Sequence, residues 1–220
     1  MKVGTDGVLL GAWCPCASAK TVLDIGTGTG LIALMVAQRN PAAIIHTIEP
    51  NAEAFQDAWL NFSNSSWSDR IHLSPLSLED YEPTNSFDLI ICNPPFFQNS
   101  LRNPSAGRSE ARHNLTFSPA DLVHASQWLQ PGGFLSGIYP PDVFKNFHQL
   151  ALRSGLTLSG KMEVKPTPEK QVKRVLFAYT KTDNPSPAIQ ITSETLIIES
   201  RGRHQYSDGY LDLTGEFYLG

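Results

Sequence analysis

Val22–Arg39 constrains the chain more than any other stretch. A short apolar run, VLDI, meets the glycines of GTGTG at Gly26–Gly30 and continues without a break into LIALMVAQR at Leu31–Arg39. The run is too short for a helix and reads as a buried strand, Val22–Ile25. The glycines let the backbone turn sharply, and with no Cβ in the way a ligand can approach it closely. The following segment is apolar all round, which predicts a well-buried helix that presents its N-terminus to that ligand. Asn40-Pro41 ends it. A strand, a glycine turn and a buried helix in direct succession demand a sheet with a covered face.

The same alternation continues. Ile44–Ile48 is a second strand closed by Glu49-Pro50. Asn51 is an N-cap for a helix from Ala52 to about Phe62, and Arg70–Leu73 is a weak third strand. Ser77–Tyr81 is a turn or short helix. Phe87 opens a fourth strand, and a helix starts at Ser118 or Asp121 and runs to Leu129. Gln130-Pro131-Gly132-Gly133 is a turn, Phe134–Tyr139 a fifth strand and Asp142–Arg153 a further helix. Leu156–Val164, Arg174–Lys181 and Ala188–Ile198 then follow as consecutive strand-like segments. Alternation followed by consecutive strands predicts an α/β fold, a mostly parallel sheet finished by an antiparallel hairpin. One domain over residues 1–185 and a short C-terminal extension, 186–220, packed on that domain are expected, with the boundary in Asp183–Pro187.

The fourth strand carries the most chemistry. FDLIICNPPFF runs into Asn93-Pro94-Pro95-Phe96, where two prolines cannot continue a ladder. The tip should be stiff, with the Asn93 amide and the Phe96 ring held in fixed relation. The plain alternative is a strand-ending diproline with a core phenylalanine, and the glycine loop upstream weighs against it.

Glu49, at the end of the second strand, can accept two hydroxyl hydrogen bonds from a ribose. A dinucleotide fingerprint would need glycine at position 31, which is Leu31. The order of glycine loop, helix and carboxylate still points to a nucleoside-containing cofactor.

These motifs resemble the class I S-adenosylmethionine-dependent methyltransferases. The resemblance implies a Rossmann-like, seven-stranded sheet with helices on both faces, and a loop of Gly26, Gly28 and Gly30 packed on the amino-acid part of the cofactor. Asp24 matches the acidic residue that opens their first motif. Where many such enzymes use a carboxylate to bind the cofactor's adenine, the aligned position is Ser77, with Leu78 beside it and Asp80 nearby. NPPF resembles the (D/N)PP(Y/F) motif of enzymes that methylate planar amines. It implies that the Asn93 side-chain oxygen and the Pro94 carbonyl hold the amine's hydrogens, with Pro95 stiffening the tip and Phe96 stacking on the base.

Two substrate classes share that motif, adenine amino groups in nucleic acid and glutamine amides in protein. The opening MKVGTDGVLLGAW, the stretches IEPNAEAF and GRSEARHN, and the closing YLDLTGEFYL resemble the bacterial tRNA-valine adenine-37 N6-methyltransferase family across essentially the whole chain. The resemblance implies Thr5 and Asp6 at the cofactor's methionyl end, and an anticodon loop of tRNA as substrate. Arg102, Arg108, Arg112, Lys170, Lys173, Arg174, Arg201 and Arg203 are then candidate phosphate contacts. A protein glutamine methyltransferase and a non-catalytic cofactor-binding module are the competing readings.

Composition limits these choices. The net charge is −4, but residues 1–100 carry 4 Lys/Arg against 10 Asp/Glu and residues 101–220 carry 13 against 11. Any nucleic-acid contact should therefore be local and concentrated beyond the NPPF tip. Cys14, Cys16 and Cys92 have neither a redox nor a zinc spacing and read as reduced structural thiols. The histidines share no ligand spacing, so no metal is expected. No stretch is long and apolar enough for a membrane span, and the start lacks a signal-peptide pattern. A cytoplasmic protein with no obligate protein partner is expected.

Overall fold

The strand over Thr21–Ile25 (β1) is buried on both sides, with Val22 and Leu23 both at 0% exposure. Such a strand has to sit inside a sheet covered on both faces. The computed structural model describes residues 4–94, 117–182, 192–200 and 202–218. In it β1 pairs in parallel with β2 (Ile44–Ile48) on one side and β4 (Phe87–Cys92) on the other. Among the described residues the sheet has eight strands, in the order β3-β2-β1-β4-β5-β7-β6-β8. The remaining strands are β3 (Ile71–Ser74), β5 (Leu129–Tyr139), β6 (Leu156–Lys165), β7 (Arg174–Lys181) and β8 (Thr192–Ile197).

The strands β1 to β5 are mutually parallel, and β7 is antiparallel to both β5 and β6. This is the expected parallel sheet with its antiparallel hairpin. β8 lies within the strand-like segment read over Ala188–Ile198; it pairs in parallel with β6 and makes eight strands where the resemblance implied seven. The boundary expected at 185/186 lies outside the described residues.

Six α-helices are described: α1 (Thr5–Trp13), α2 (Leu31–Arg39), α3 (Ala52–Ser63), α4 (Pro119–Ala125), α5 (Pro141–Arg153) and α6 (Asp208–Thr214). Val22, Ile45, Leu89 and Ile138 point to one face, packed with residues of α1, α2, α3 and α6. Leu23, Ile48, Ile90 and Leu135 point to the other, packed with α4 and α5. Asn51 caps α3 as expected, its side chain accepting the Ala54 N–H at 2.9 Å.

Besides α6, which the sequence reading did not mark, three segments depart from it. Residues 5–13, read only as an apolar patch, form α1. Its residues Gly7 through Ala12 are all buried, so it lacks the polar face that makes a helix visible in sequence. The helix expected to reach Leu129 stops at Ala125, and a 3-10 turn over Ser126–Trp128 leads into β5. Gln130–Gly133 is not a free turn but extra length within β5, where the register with β4 jumps from Phe87↔Leu129 to Leu89↔Phe134.

Two arginines of the acidic first half serve the fold. The Arg39 guanidinium donates to the Gly11 and Cys14 carbonyls at 2.8 and 2.9 Å, satisfying the end of α1. Arg70 donates to the Ala37 and Ala43 carbonyls at 2.9 and 2.7 Å, at the end of α2. The three cysteines are buried and unbridged. Among the described residues, no helix is long and apolar enough to cross a membrane.

Candidate active site

In an open parallel sheet, ligands bind beyond the carboxyl ends of the strands where the strand order reverses. Here that point is β1, flanked by β2 and β4, and a cavity of about 990 Å³ opens there. Its walls are Ile25 and Gly26 after β1, Glu49 and Pro50 after β2, the segment 75–83 after β3, and Cys92, Asn93 and Pro94 at the end of β4. The side of α4 supplies Phe117, Asp121, His124, Gln127 and Trp128.

The glycine loop is shaped as its residues demand. Gly26, Gly28 and Gly30 have φ of 67°, 59° and 84°, which side chains other than glycine rarely adopt. A Cβ on Gly26 would meet nothing within 4 Å, so the open cavity lies against its backbone. A Cβ on Gly30 would instead stand 2.3 Å from Phe62 Cε1. Gly26 gives access, and Gly30 lets α3 pack against the loop.

Glu49 is held from below. The Gly28 N–H donates to Oε2 and the Asn51 N–H to Oε1, both at 2.9 Å. Each oxygen retains a lone pair, so a diol can still donate to both from the cavity side. Asp24 is 1% exposed and accepts the Thr27 hydroxyl at 2.6 Å on Oδ2, while its Oδ1 has no hydrogen-bond partner among the described residues. Burial pushes its carboxyl up to about 7; the Thr27 hydrogen bond opposes this and the neighbouring Glu49 carboxylate adds to it.

The charge of the cavity discriminates between cofactors. Glu49, Glu79, Asp80, Glu82 and Asp121 line it, and no lysine or arginine does among the described residues. Such a wall repels phosphates and favours a cation. S-adenosylmethionine, with a sulfonium and an ammonium, fits it. The Gly26 backbone and the Glu49 carboxylate fit it as well; Asp24, Gly28 and Gly30 are not among the lining residues, and the orphaned Asp24 oxygen is buried next to Ile25 and Gly26, which are.

Ser77 and Leu78 line the cavity as expected, but the Ser77 hydroxyl is turned to its neighbour, donating to Asp80 Oδ2 at 2.6 Å. Asp80 shares this wall with the carboxylates of Glu79 and Glu82. The α4 wall was missed: neither spacing nor composition marked His124, Gln127 or Trp128. Trp128 meets Tyr81 edge to face, with ring centroids 5.7 Å apart. Asp121 is committed to capping α4, its Oδ2 accepting the Ser118 N–H at 2.7 Å.

Asn93 and Pro94 lie at the cavity, and Pro95 and Phe96 lie outside the described residues. α1 comes in close from the other side: a Cβ on Gly7 would be 3.8 Å from Asn93 Nδ2. Thr5 and Asp6 are not among the cavity's lining residues. Asp6 is instead engaged by Arg174, whose Nε donates to Oδ2 at 2.6 Å, so each occupies the other. Arg174 is thereby less suited to the phosphate role expected of it. Lys173 and Arg203 are exposed, and Arg102, Arg108, Arg112 and Arg201 lie outside the described residues.

Residues 7–135 match the family model of the methyltransferase small domain. A protein of Bacteroides fragilis (strain YCH46) named tRNA1(Val) (adenine(37)-N6)-methyltransferase is 40% identical over 223 residues, covering 100% of this chain and 91% of its own length. The chain belongs to the tRNA1(Val) (adenine(37)-N6)-methyltransferase family. A protein of the same name from Escherichia fergusonii is 38% identical, with 100% of this chain and 89% of that protein covered. Among solved structures, a predicted O-methyltransferase from Agrobacterium tumefaciens superposes with a TM-score of 0.71 at 20% identity over 96% of both chains, a likeness of fold alone.

Proposed function

We propose that this chain methylates N6 of adenine-37 in tRNA1(Val), using S-adenosyl-L-methionine. The observation that carries the reading is that Asn93 and Pro94 line the same cavity as Gly26 and Glu49, in a chain about 40% identical over its full length to methyltransferases of that name. When bound, the cofactor supplies an electrophilic methyl group on a sulfonium.

The protein's own part is binding and orientation. Glu49 accepts the ribose hydroxyls, Asp80 the adenine amino group, and Asp24 supports the cofactor's ammonium. An exocyclic adenine nitrogen is a poor nucleophile because its lone pair is delocalised into the ring. With its two hydrogens donated to the Asn93 side-chain oxygen and the Pro94 carbonyl, that lone pair is directed out of the ring plane, towards the cofactor side of the cavity. The same two oxygens stabilise the positive character the nitrogen gains as the bond from sulfur to the methyl would break and leave a neutral thioether. No base is needed before transfer, because the extra proton leaves the nitrogen for water afterwards. Phe96 would stack on the extruded base and Pro95 hold the tip rigid. Arg102, Arg108, Arg112, Lys173, Arg201 and Arg203 are proposed for the tRNA backbone. A tRNA substrate places the protein in the cytoplasm.

Labelled cofactor tests the reading with two acceptors side by side, tRNA from a strain lacking the gene and a release factor. Label is expected in tRNA as N6-methyladenosine. Label in the release factor alone would replace this reading with glutamine methylation, and none in either would leave a non-catalytic binding module.

A further inference from the structure

The carboxyl ends of several strands form one rim. β4 and β5 are parallel, β7 runs antiparallel to β5 and β6, and β8 is parallel to β6, so β4, β5, β6 and β8 point the same way. Asn93 follows β4, Lys165 closes β6 and Ile197 closes β8. Four strand spacings separate β4 from β8, roughly 19 Å at about 4.8 Å each.

Beyond β8 the backbone forms a braced turn. The Ile198 and Glu199 N–H groups donate to the Lys165 and Pro166 carbonyls at 2.9 Å, extending the pairing with β6. Glu199 bridges to Tyr206, the Ser200 N–H donates to the Gln205 carbonyl at 3.0 Å, and the His204 N–H donates to Glu199 Oε1 at 2.8 Å. His204 sits at φ 64°, a conformation that a non-glycine residue keeps only where its surroundings hold it.

This turn presents an aromatic ring. Tyr206 stacks on Tyr210 with centroids 4.9 Å apart and planes 24° apart. Tyr210 is 4% exposed and its hydroxyl lies 3.2 Å from that of Tyr218, whereas Tyr206 is 42% exposed. A ring backed on one face by a buried ring is pre-oriented to accept a planar group on the other. Arg203 and His204 on the turn, and Lys170 and Lys173 on the loop after β6, are exposed on the same rim. These cations share the rim with Glu169, Glu199 and Asp208, so they offer individual phosphate contacts around the ring rather than a net positive field.

We propose that Tyr206 is a stacking platform for an unpaired base of the anticodon loop, with Arg203, Lys170 and Lys173 on the neighbouring phosphates. The proposal rests on the reading of tRNA as substrate. Loop bases can be splayed out and stacked on aromatic side chains, and such stacking tolerates any base because every base has a π face. Held at Tyr206, the loop is registered along the rim so that its target adenine reaches Asn93.

The test uses the full chain and an anticodon stem-loop RNA with 2-aminopurine placed in turn at each loop position other than the target. Wild type is expected to quench the label at one position, and Tyr206→Phe to retain that quench. Tyr206→Leu, which keeps an apolar contact with Tyr210, is expected to lose it and to bind the RNA roughly tenfold to a hundredfold more weakly. Its melting temperature and cofactor affinity should match wild type. Lys173→Gln should keep the quench while lowering the salt dependence of binding by about one unit of slope. Wild-type quench and affinity in Tyr206→Leu, in a protein that does methylate tRNA, would overturn the platform alone. Failure of wild type to methylate tRNA at all would overturn the substrate reading, and the platform with it.

Discussion

Arg174 Nε lies 2.6 Å from Asp6 Oδ2, tying the first turn of α1 to the start of β7 across 168 residues. α1 is the element whose Gly7 abuts Asn93, so the ion pair braces the helix packed behind that residue. Both side chains are about a quarter exposed, which limits the pair's contribution to stability to about 1 kcal/mol. Asp6→Ala and Arg174→Ala should each lower stability by about that amount. They should reduce methyl transfer more than cofactor binding, and the double variant should cost less than the sum of the singles. A double-mutant cycle read by urea unfolding and by turnover checks this; strict additivity would mean the pair does not couple the two elements.

Asn93→Ala removes one of the two oxygens proposed to orient the amine. Turnover should fall by about 10²–10³-fold, the range for losing one preorganised polar partner. Cofactor affinity by calorimetry should change little, since Glu49, Asp80 and the glycine loop are untouched.

Asp24 should make stability and cofactor binding respond to pH in opposite senses. Its carboxyl stands at about 7 in the fold, mainly through burial, against about 3.9 when unfolded. Between those values the unfolded state has released the proton and the folded state has not. The cofactor-free protein should therefore lose stability as pH rises from about 4 to 7, by a few kcal/mol at most, and then level off. Cofactor affinity should instead rise through pH 7 as the carboxylate forms opposite a cation. In Asp24→Asn both pH dependences should be lost, with cofactor binding weakened throughout. Thermal melting and calorimetry at pH 5, 7 and 8 provide the comparison.

Gly30→Ala combines a strained φ of 84° with a Cβ 2.3 Å from Phe62 Cε1. The variant should be destabilised by at least about 2 kcal/mol. Adding Phe62→Leu should recover only part of this, because trimming the ring relieves the clash and leaves the backbone strain. Full recovery on melting would mean that the clash alone was the cause.

What the sequence made legible follows from range. β2 over Ile44–Ile48, α2 over Leu31–Arg39 and β7 over Arg174–Lys181 were placed to the residue because proline, glycine or asparagine bounds them or their apolar runs are uninterrupted. The short spacing from Gly26 to Glu49 made one wall of the cavity legible for the same reason. α1 was hidden because burial on all sides erased its periodicity, and α6 because its seven residues span only two turns. The Asp6–Arg174 pair could not be read at all: nothing local in either segment records a partner 168 positions away. The α4 wall was lost likewise, since His124 and Trp128 reach the cavity only after β4 and β5 have positioned their connection.

The central claim is that Asn93 delivers adenine-37 of tRNA to the cavity formed by Gly26, Glu49 and Asp80. Position-mapped nucleoside mass spectrometry tests it most directly, on tRNA1(Val) from cells carrying the wild-type gene, no gene, or Asn93→Ala. N6-methyladenosine at position 37 is predicted with wild type and should be missing in the other two. Equal methylation at that position in all three would contradict the account.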